Sequence, residues 1–233
     1  MSIRENYLEI EKRIQSACDR AGRKREEVTL IAVSKTKPLE MLKEVAALGQ
    51  TDFGENHVQE IVEKYDAFPG VRYHMIGHLQ RNKVRQVIGR AVMIHSVDSM
   101  RLAEEISKES VKKNVTTDIL IEINAGNEES KYGFDFSEAE EETMKIALLP
   151  NIRVCGFMCV APFVDDPEEN RSVFRKMSHL AVDMQNKNTD NVKAYILSMG
   201  MTNDFEVAIE EGATHVRIGT AIFGARDYKG VVK

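Results

Sequence analysis

The 233-residue chain contains no apolar run long enough to cross a membrane. It also lacks a long basic stripe, and its net charge of -5 argues against nucleic acid as the main partner. The cluster Arg81, Lys83 and Arg85 reads as a solvated helix face. There are only three cysteines, Cys18, Cys155 and Cys159, and no Cys-x-x-Cys pair. An odd, sparse set of this kind suits a reducing compartment. No Pro/Ser-rich linker interrupts the chain, so residues 1–233 are expected to form a single domain. Residues 2–21 read as an amphipathic helix rather than a secretory leader. Ile3, Tyr7, Ile10, Ile14, Ala17 and Ala21 lie on one stripe, and Gly22 stops the helix. The expectation is a cytoplasmic protein.

What the chain does have is 42% hydrophobic and 30% charged residues, the balance of a globular domain with a real core. Short apolar strands alternate with helical segments. Strands are expected at 28–35, 51–54, 72–77, 91–97, 118–124, 152–160, 194–199 and 215–219. Helices are expected at 38–49, 57–66, 80–88, 99–112, 137–148, 167–186 and 202–211. Pro38 and Pro167 fit helix starts, and Gly49 and Gly212 fit helix stops. Eight strand–helix units suggest an α/β fold, a (β/α)₈ TIM barrel with an extra N-terminal helix; a doubly wound open sheet is the alternative. Periodicity favours the barrel. Ile119, Ile121 and Ile123 share one face of their strand, while Asp118, Leu120, Glu122 and Asn124 share the other. His215, Arg217 and Gly219 likewise oppose Val216 and Ile218. A sheet covered on both sides is apolar on both faces, whereas a barrel can keep polar groups in its lumen.

In a barrel, function gathers at the C-terminal ends of the strands. Lys35 stands there, closing the run Val28-Thr29-Leu30-Ile31-Ala32-Val33-Ser34-Lys35 ahead of Thr36-Lys37-Pro38. On this segment alone, a lysine that ends a strand and reaches water is the ordinary reading. The alternative is a partly desolvated amine that attacks carbonyl groups. Lys37 lies beyond the apolar run and reads as a surface residue. Other strand ends supply Gly54-Glu55-Asn56, Gly77-His78, Ser96 with Asp98, and Asn124.

Two further strand ends are more specific. Ser198-Met199-Gly200 precedes a helix whose Asn203 and Glu206 have capping-box spacing. Such a segment can cradle a phosphate or can be an ordinary capped helix. Arg217-Ile218-Gly219-Thr220 offers backbone and hydroxyl donors between the seventh and eighth strands, where barrels often hold phosphate. An inward Arg217 needs an acceptor: a carboxylate such as Glu122, or a ligand nitrogen or anion. A lysine on strand one, a phosphate cradle at strands seven and eight, and an inward arginine together describe a pyridoxal 5′-phosphate (PLP) site.

The ordered motifs resemble the pyridoxal phosphate homeostasis family, which is related to the N-terminal barrel of alanine racemase. They are Ala32-Val33-Ser34-Lys35-Thr36-Lys37-Pro38, Phe53-Gly54-Glu55-Asn56, His74-Met75-Ile76-Gly77-His78-Leu79-Gln80-Arg81-Asn82-Lys83, Ser130-Lys131-Tyr132-Gly133, Gly156-Phe157-Met158, Leu197-Ser198-Met199-Gly200-Met201 and Val216-Arg217-Ile218-Gly219-Thr220-Ala221-Ile222-Phe223-Gly224. His57 and Met75 depart from the residues common in the family. The resemblance implies a PLP-binding barrel with Lys35 as the aldimine lysine. It assigns Ser198, Gly200, Gly219 and Thr220 to the phosphate, Arg217 to the ring nitrogen, and Asn56 and Met199 to the cofactor's sides. It also implies a monomer and, as partners, PLP-dependent apoenzymes.

Racemisation needs proton transfer on both faces of a carbon. Alanine racemases take their second acid/base from a C-terminal β-domain, and this chain ends at Lys233, just after the eighth strand. The expectation is therefore a carrier of PLP acting in its homeostasis without amino-acid turnover; a racemase-like enzyme is the alternative. A metal-dependent barrel is suggested by His74, His78 and His95, but neither His-Glu-x-x-His nor a carboxylate-rich ligand set accompanies them. Lys131 reads as a solvated lysine. Cys155 and Cys159 are expected on one face of strand six as core residues.

Overall fold

The computed structural model describes residues 2–126, 132–187 and 191–224. Eight parallel strands close into a barrel in sequential order. They are β1 (Thr29–Val33), β2 (Asp52–Glu55), β3 (Arg72–Met75), β4 (Ala91–Val97), β5 (Thr117–Ile123), β6 (Ile152–Cys159), β7 (Val192–Ser198) and β8 (His215–Ile218). Pairing of Thr29 with His215 and of Ala32 with Ile218 closes the ring. The helices are α1 (Ile3–Arg20), α2 (Leu39–Ala46), α3 (Val58–Ala67), α4 (Val84–Val87), α5 (Met100–Lys113), α6 (Phe136–Ala147), α7 (Arg171–Asn186), α8 (Phe205–Glu210) and α9 (Thr220–Phe223). Among the described residues, no helix is long and apolar enough to cross a membrane.

The extra helix α1 starts at a capping box between Ser2 and Glu5. It buries Tyr7, Ile10, Ile14 and Ala17. Its outer edge is tied to α8 by Arg13–Glu206 (2.7 Å), Arg20–Glu206 (2.8 Å) and Arg20–Glu210 (2.7 Å). These pairs correct the expected capping box at α8. Glu206 is held by α1, and Asn203 donates to Val164 O (3.0 Å). Asp204 instead accepts from Met201 N–H (2.7 Å) and folds the chain into α8. The expected helix at 80–88 is a 3₁₀ turn followed by the single turn α4.

The inward and outward faces of β5 and β8 follow the expected alternation. Ile119, Ile121 and Ile123 join the core between barrel and helices. Leu120 belongs to a separate lumen cluster with Met93, Cys155, Met158 and Ile196. Strand β6 departs from the pattern. Ile119 pairs with Val154 but Leu120 pairs with Gly156, so Cys155 is the extra residue of a bulge. The bulge resets the alternation. Cys155 therefore faces the lumen cluster while Cys159 packs in the outer core, which corrects the expectation that they share a face. Only glycine fits beside the bulge: Gly156 has φ 151°, and a Cβ there would lie 1.9 Å from Ile196 O.

Candidate functional site

The C-terminal ends of the strands surround a cleft of about 440 Å³. It is lined by Lys35, Lys37, Asn56, Arg217, Gly219 and Thr220, with Val160, Phe163 and Met201 at its apolar side. Phe163 is 88% exposed.

Lys35 follows β1 and keeps the inward parity of Val33, so both line the cleft. The turn that carries it is braced from outside the barrel. Lys37 N–H donates to Ser34 O (3.0 Å), and Thr36 takes φ 62°. Thr36 N–H donates to Glu60 Oε1 (2.5 Å). Below it, Lys64 Nζ donates to Ser34 O and to Glu55 Oε1, both at 2.8 Å, and Ser34 Oγ donates to the same carboxylate oxygen at 2.5 Å. Lys37 sends its ammonium to the carbonyls of Phe223 (3.2 Å) and Gly224 (3.1 Å) at the end of α9. Cations are favoured at that helix end.

Across the cleft, Arg217 is buried and donates through Nη1 to Ser198 O (2.6 Å) and Ser198 Oγ (2.8 Å), and through Nη2 to Cys159 O (2.8 Å). Three of its five donors are thereby engaged. The sequence offered Glu122 as an acceptor; the bonds go to β6 and β7 instead. After Arg217 the chain reaches Gly219, where a Cβ would lie 2.9 Å from Val33 O. That close approach seats the first turn of α9, with the amides opening at Thr220, beside the strand that carries Lys35.

The sequence-derived residues therefore separate into two layers. Lys35, Asn56, Arg217, Gly219 and Thr220 line one cleft. Ser198 and Met199 are fully buried beneath it, and Gly200 turns away at φ 87°, its carbonyl accepting from Arg217 N–H (3.1 Å). Met75 packs in the outer core, and His57 is exposed. His78 bonds Asp98 (3.0 Å) and stacks on Tyr132 at 3.9 Å. Ser130 and Lys131 lie outside the described residues.

Two features have no signal as sequence motifs. One is the knot of Ser34, Glu55 and Lys64. The other is a chain of side chains in the lumen: Asp52, His74, His95 and Ser198. The inward parity of His74 and His95 was the available clue. His95 is held well below the ordinary histidine range by burial, and burial also lowers His74 and takes His215 down to about 3.

Glu122 faces this region with its Oε2 buried and without a hydrogen-bond partner among the described residues. Burial, assisted by the Asp98 carboxylate, pushes it up to about 7 despite Arg217. The folded state then binds the Glu122 proton more tightly than the unfolded chain, so stability falls as pH rises from the unfolded carboxyl range to about 7. Glu122→Gln removes this penalty. Denaturant unfolding is expected to show the variant more stable than wild type by about 2–3 kcal/mol at pH 8 and nearly equal to it at pH 4.5. An equal difference at both pH values would contradict the assignment.

The closed parallel barrel, the lysine after β1 and the paired β7–β8 ends define an alanine-racemase-type barrel. A family model described as alanine racemase, N-terminal domain, matches residues 6–227. The pyridoxal phosphate homeostasis protein of Aquifex aeolicus is 44% identical over 230 residues, covering 98% of this chain and 100% of its own. The protein of that name from Escherichia coli is 39% identical, with 97% of each chain covered. PipY of Synechococcus elongatus, solved with PLP bound, superposes with a TM-score of 0.79 at 32% identity, covering 92% of this chain and all of PipY. An alanine racemase of Clostridium difficile shares the fold, with a TM-score of 0.78 at 15% identity; this chain covers 59% of it. The chain belongs to the alanine racemase N-terminal domain family and, within it, to the pyridoxal phosphate homeostasis proteins.

Proposed function

We propose that this protein binds PLP through Lys35 and serves the homeostasis of that cofactor, holding it without turning over amino acids. The observation that carries this reading is the convergence of Lys35, Asn56, Arg217, Gly219 and Thr220 on one cleft. The residues fit the group. Lys35 supplies an amine on the cleft wall. The amides that open α9 and the Thr220 hydroxyl suit a phosphate. Arg217 retains donors that would serve a ring nitrogen, and Asn56 would lie beside the ring. Ser198, Met199 and Gly200 lie outside the cleft lining and would act on the phosphate and ring only from beneath. Bound PLP would supply a reactive aldehyde for which Lys35 provides the amine.

Holding rather than turnover is supported by Arg217. A guanidinium donates a hydrogen bond but does not give up its proton near neutral pH. A ring nitrogen that meets it stays unprotonated, which weakens the ring as an electron sink. The names of the relatives support a role in PLP homeostasis. In this reading the protein is a cytoplasmic monomer, and its recipients are PLP-dependent apoenzymes. The test is exchange of the amino-acid α-proton in deuterium oxide. Purified holoprotein is expected to show no sustained exchange across the common amino acids. Robust turnover abolished by Lys35→Ala would overturn the carrier reading.

A further inference from the structure

The barrel lumen contains an unbroken line of side-chain hydrogen bonds that ends on Arg217. Asp52 Oδ1 lies 2.8 Å from His74 Nε2. His74 Nδ1 lies 2.9 Å from His95 Nε2. His95 Nδ1 lies 2.9 Å from Ser198 Oγ, and Ser198 Oγ accepts from Arg217 Nη1 at 2.8 Å. His74, His95 and Ser198 are fully buried, and Asp52 and Arg217 nearly so. Five strands contribute: β2, β3, β4, β7 and β8.

With both imidazoles kept neutral by burial, the two ends of this line set the direction of every bond. The Asp52 carboxylate is acceptor-only. Burial alone would raise it, but the bonds from His74 and from Thr51 Oγ1 (2.6 Å) outweigh burial and keep it ionised. His74 must therefore carry its proton on Nε2, which leaves Nδ1 as an acceptor. His95 must then donate from Nε2 and accept at Nδ1. Ser198 must donate to His95, which leaves its oxygen to accept from Arg217. The other end agrees, because a guanidinium only donates. Every bond in the line then joins a donor to an acceptor, and a buried network matched in this way specifies a single arrangement. Protonating either imidazole would reverse the His95–Ser198 bond, since both nitrogens of an imidazolium donate and Ser198 Oγ would then accept from His95 as well as from Arg217. The edge-on ring of His215, 6.4 Å from His74 and 6.3 Å from His95, packs against the same pair.

We propose that Asp52, His74, His95 and Ser198 are positioning residues: they form a directed chain, Arg217→Ser198→His95→His74→Asp52, that fixes which guanidinium donors remain to face the cofactor ring. The inference rests on the reading that Arg217 meets the ring nitrogen. It assigns a task to lumen histidines that stand apart from the cleft. With Nη1 held by Ser198, the guanidinium cannot rotate to present a different edge, so the ring nitrogen meets a constant donor.

The experiment has an apo arm and a loaded arm. In the apo protein labelled with ¹⁵N-histidine, long-range ¹H–¹⁵N correlation spectra at pH 7 are expected to show His74 and His95 both neutral and protonated on Nε2. An Nδ1–H tautomer or an imidazolium at either position overturns the chain whatever the variants do, and this arm needs no variant to fold. In the loaded arm, His74→Gln retains an amide donor for Asp52 but moves its acceptor away from the Nδ1 position that orients His95. Its affinity for PLP is expected to fall about tenfold, and the pH midpoint of the bound cofactor's visible band is expected to shift, with the circular dichroism of the fold unchanged. An affinity and pH midpoint equal to wild type overturn the proposal, provided Arg217→Gln weakens binding in the same assay. If Arg217→Gln binds PLP as wild type does, the reading of Arg217 fails and the proposal fails with it.

Discussion

Lys35→Ala protein is expected to lose the visible absorption of the PLP-loaded wild type and to retain the cofactor at least about 100-fold less tightly, roughly 3 kcal/mol at a factor of ten per 1.4 kcal/mol. The variant should keep its fold, because Lys35 ends a strand at the cleft and is not one of the residues that fill the core. Weak binding should remain through Arg217, Gly219 and Thr220, which the substitution leaves in place. Borohydride reduction of loaded wild type followed by peptide mapping should place the label on Lys35. Lys37 is the nearest competitor in sequence and also lines the cleft. Its Nζ, however, is directed to the carbonyls of Phe223 and Gly224 at the end of α9. Label on Lys37, with Lys35→Ala binding like wild type, would refute the assignment.

The parts of the site that the sequence disclosed are those set by strand parity. Once β1 and β8 are located, alternation carries Lys35, Arg217 and Gly219 to the lumen side without further information. Parity also gave the two faces of β5. It failed in β6, because a bulge is decided by the partner strands and leaves no local mark beyond Gly156. The expected capping box at Asn203 failed for a similar reason: Glu206 is taken by Arg13 and Arg20, almost two hundred residues away. Ser198 was correctly placed at a strand end, but its hydroxyl is turned to His95, 103 residues earlier in the chain. Pairings of this length are set by barrel closure, which brings β4 opposite β7 and has no expression in any single segment.

Lys64→Met is expected to destabilise the protein in a pH-dependent way, and the dependence identifies the cause. Lys64 sits on α3 with its Nζ shared between Ser34 O and Glu55, and Glu55 is fully buried. Burial pushes Glu55 up to about 7, with Lys64 and Ser34 pulling it down. Near pH 5 the folded protein already holds Glu55 protonated, so removing Lys64 costs little more than its hydrogen bonds, about 1–2 kcal/mol. Near pH 8.5 the wild-type carboxylate is ionised against an ammonium. The variant must then either bury an unpaired charge or keep a proton that the unfolded chain releases. Breaking a buried pair in this way costs roughly 3–5 kcal/mol. The sign follows from proton binding: with Lys64 gone the Glu55 carboxyl is raised further, the folded state binds more protons than the unfolded state over a wider range, and stability continues to fall with rising pH after wild type has levelled. Urea unfolding at pH 5 and 8.5 reads the difference directly. Lys64→Met with Glu55→Gln should recover most of the loss at pH 8.5, because no charge is then left behind. An equal loss at both pH values would mean that Lys64 matters for its packed stem alone. Because Ser34 O is the other acceptor of Lys64, the same variant should also loosen the turn that presents Lys35, seen as slower formation of the visible band on adding PLP at pH 5, where the loss of stability is smallest.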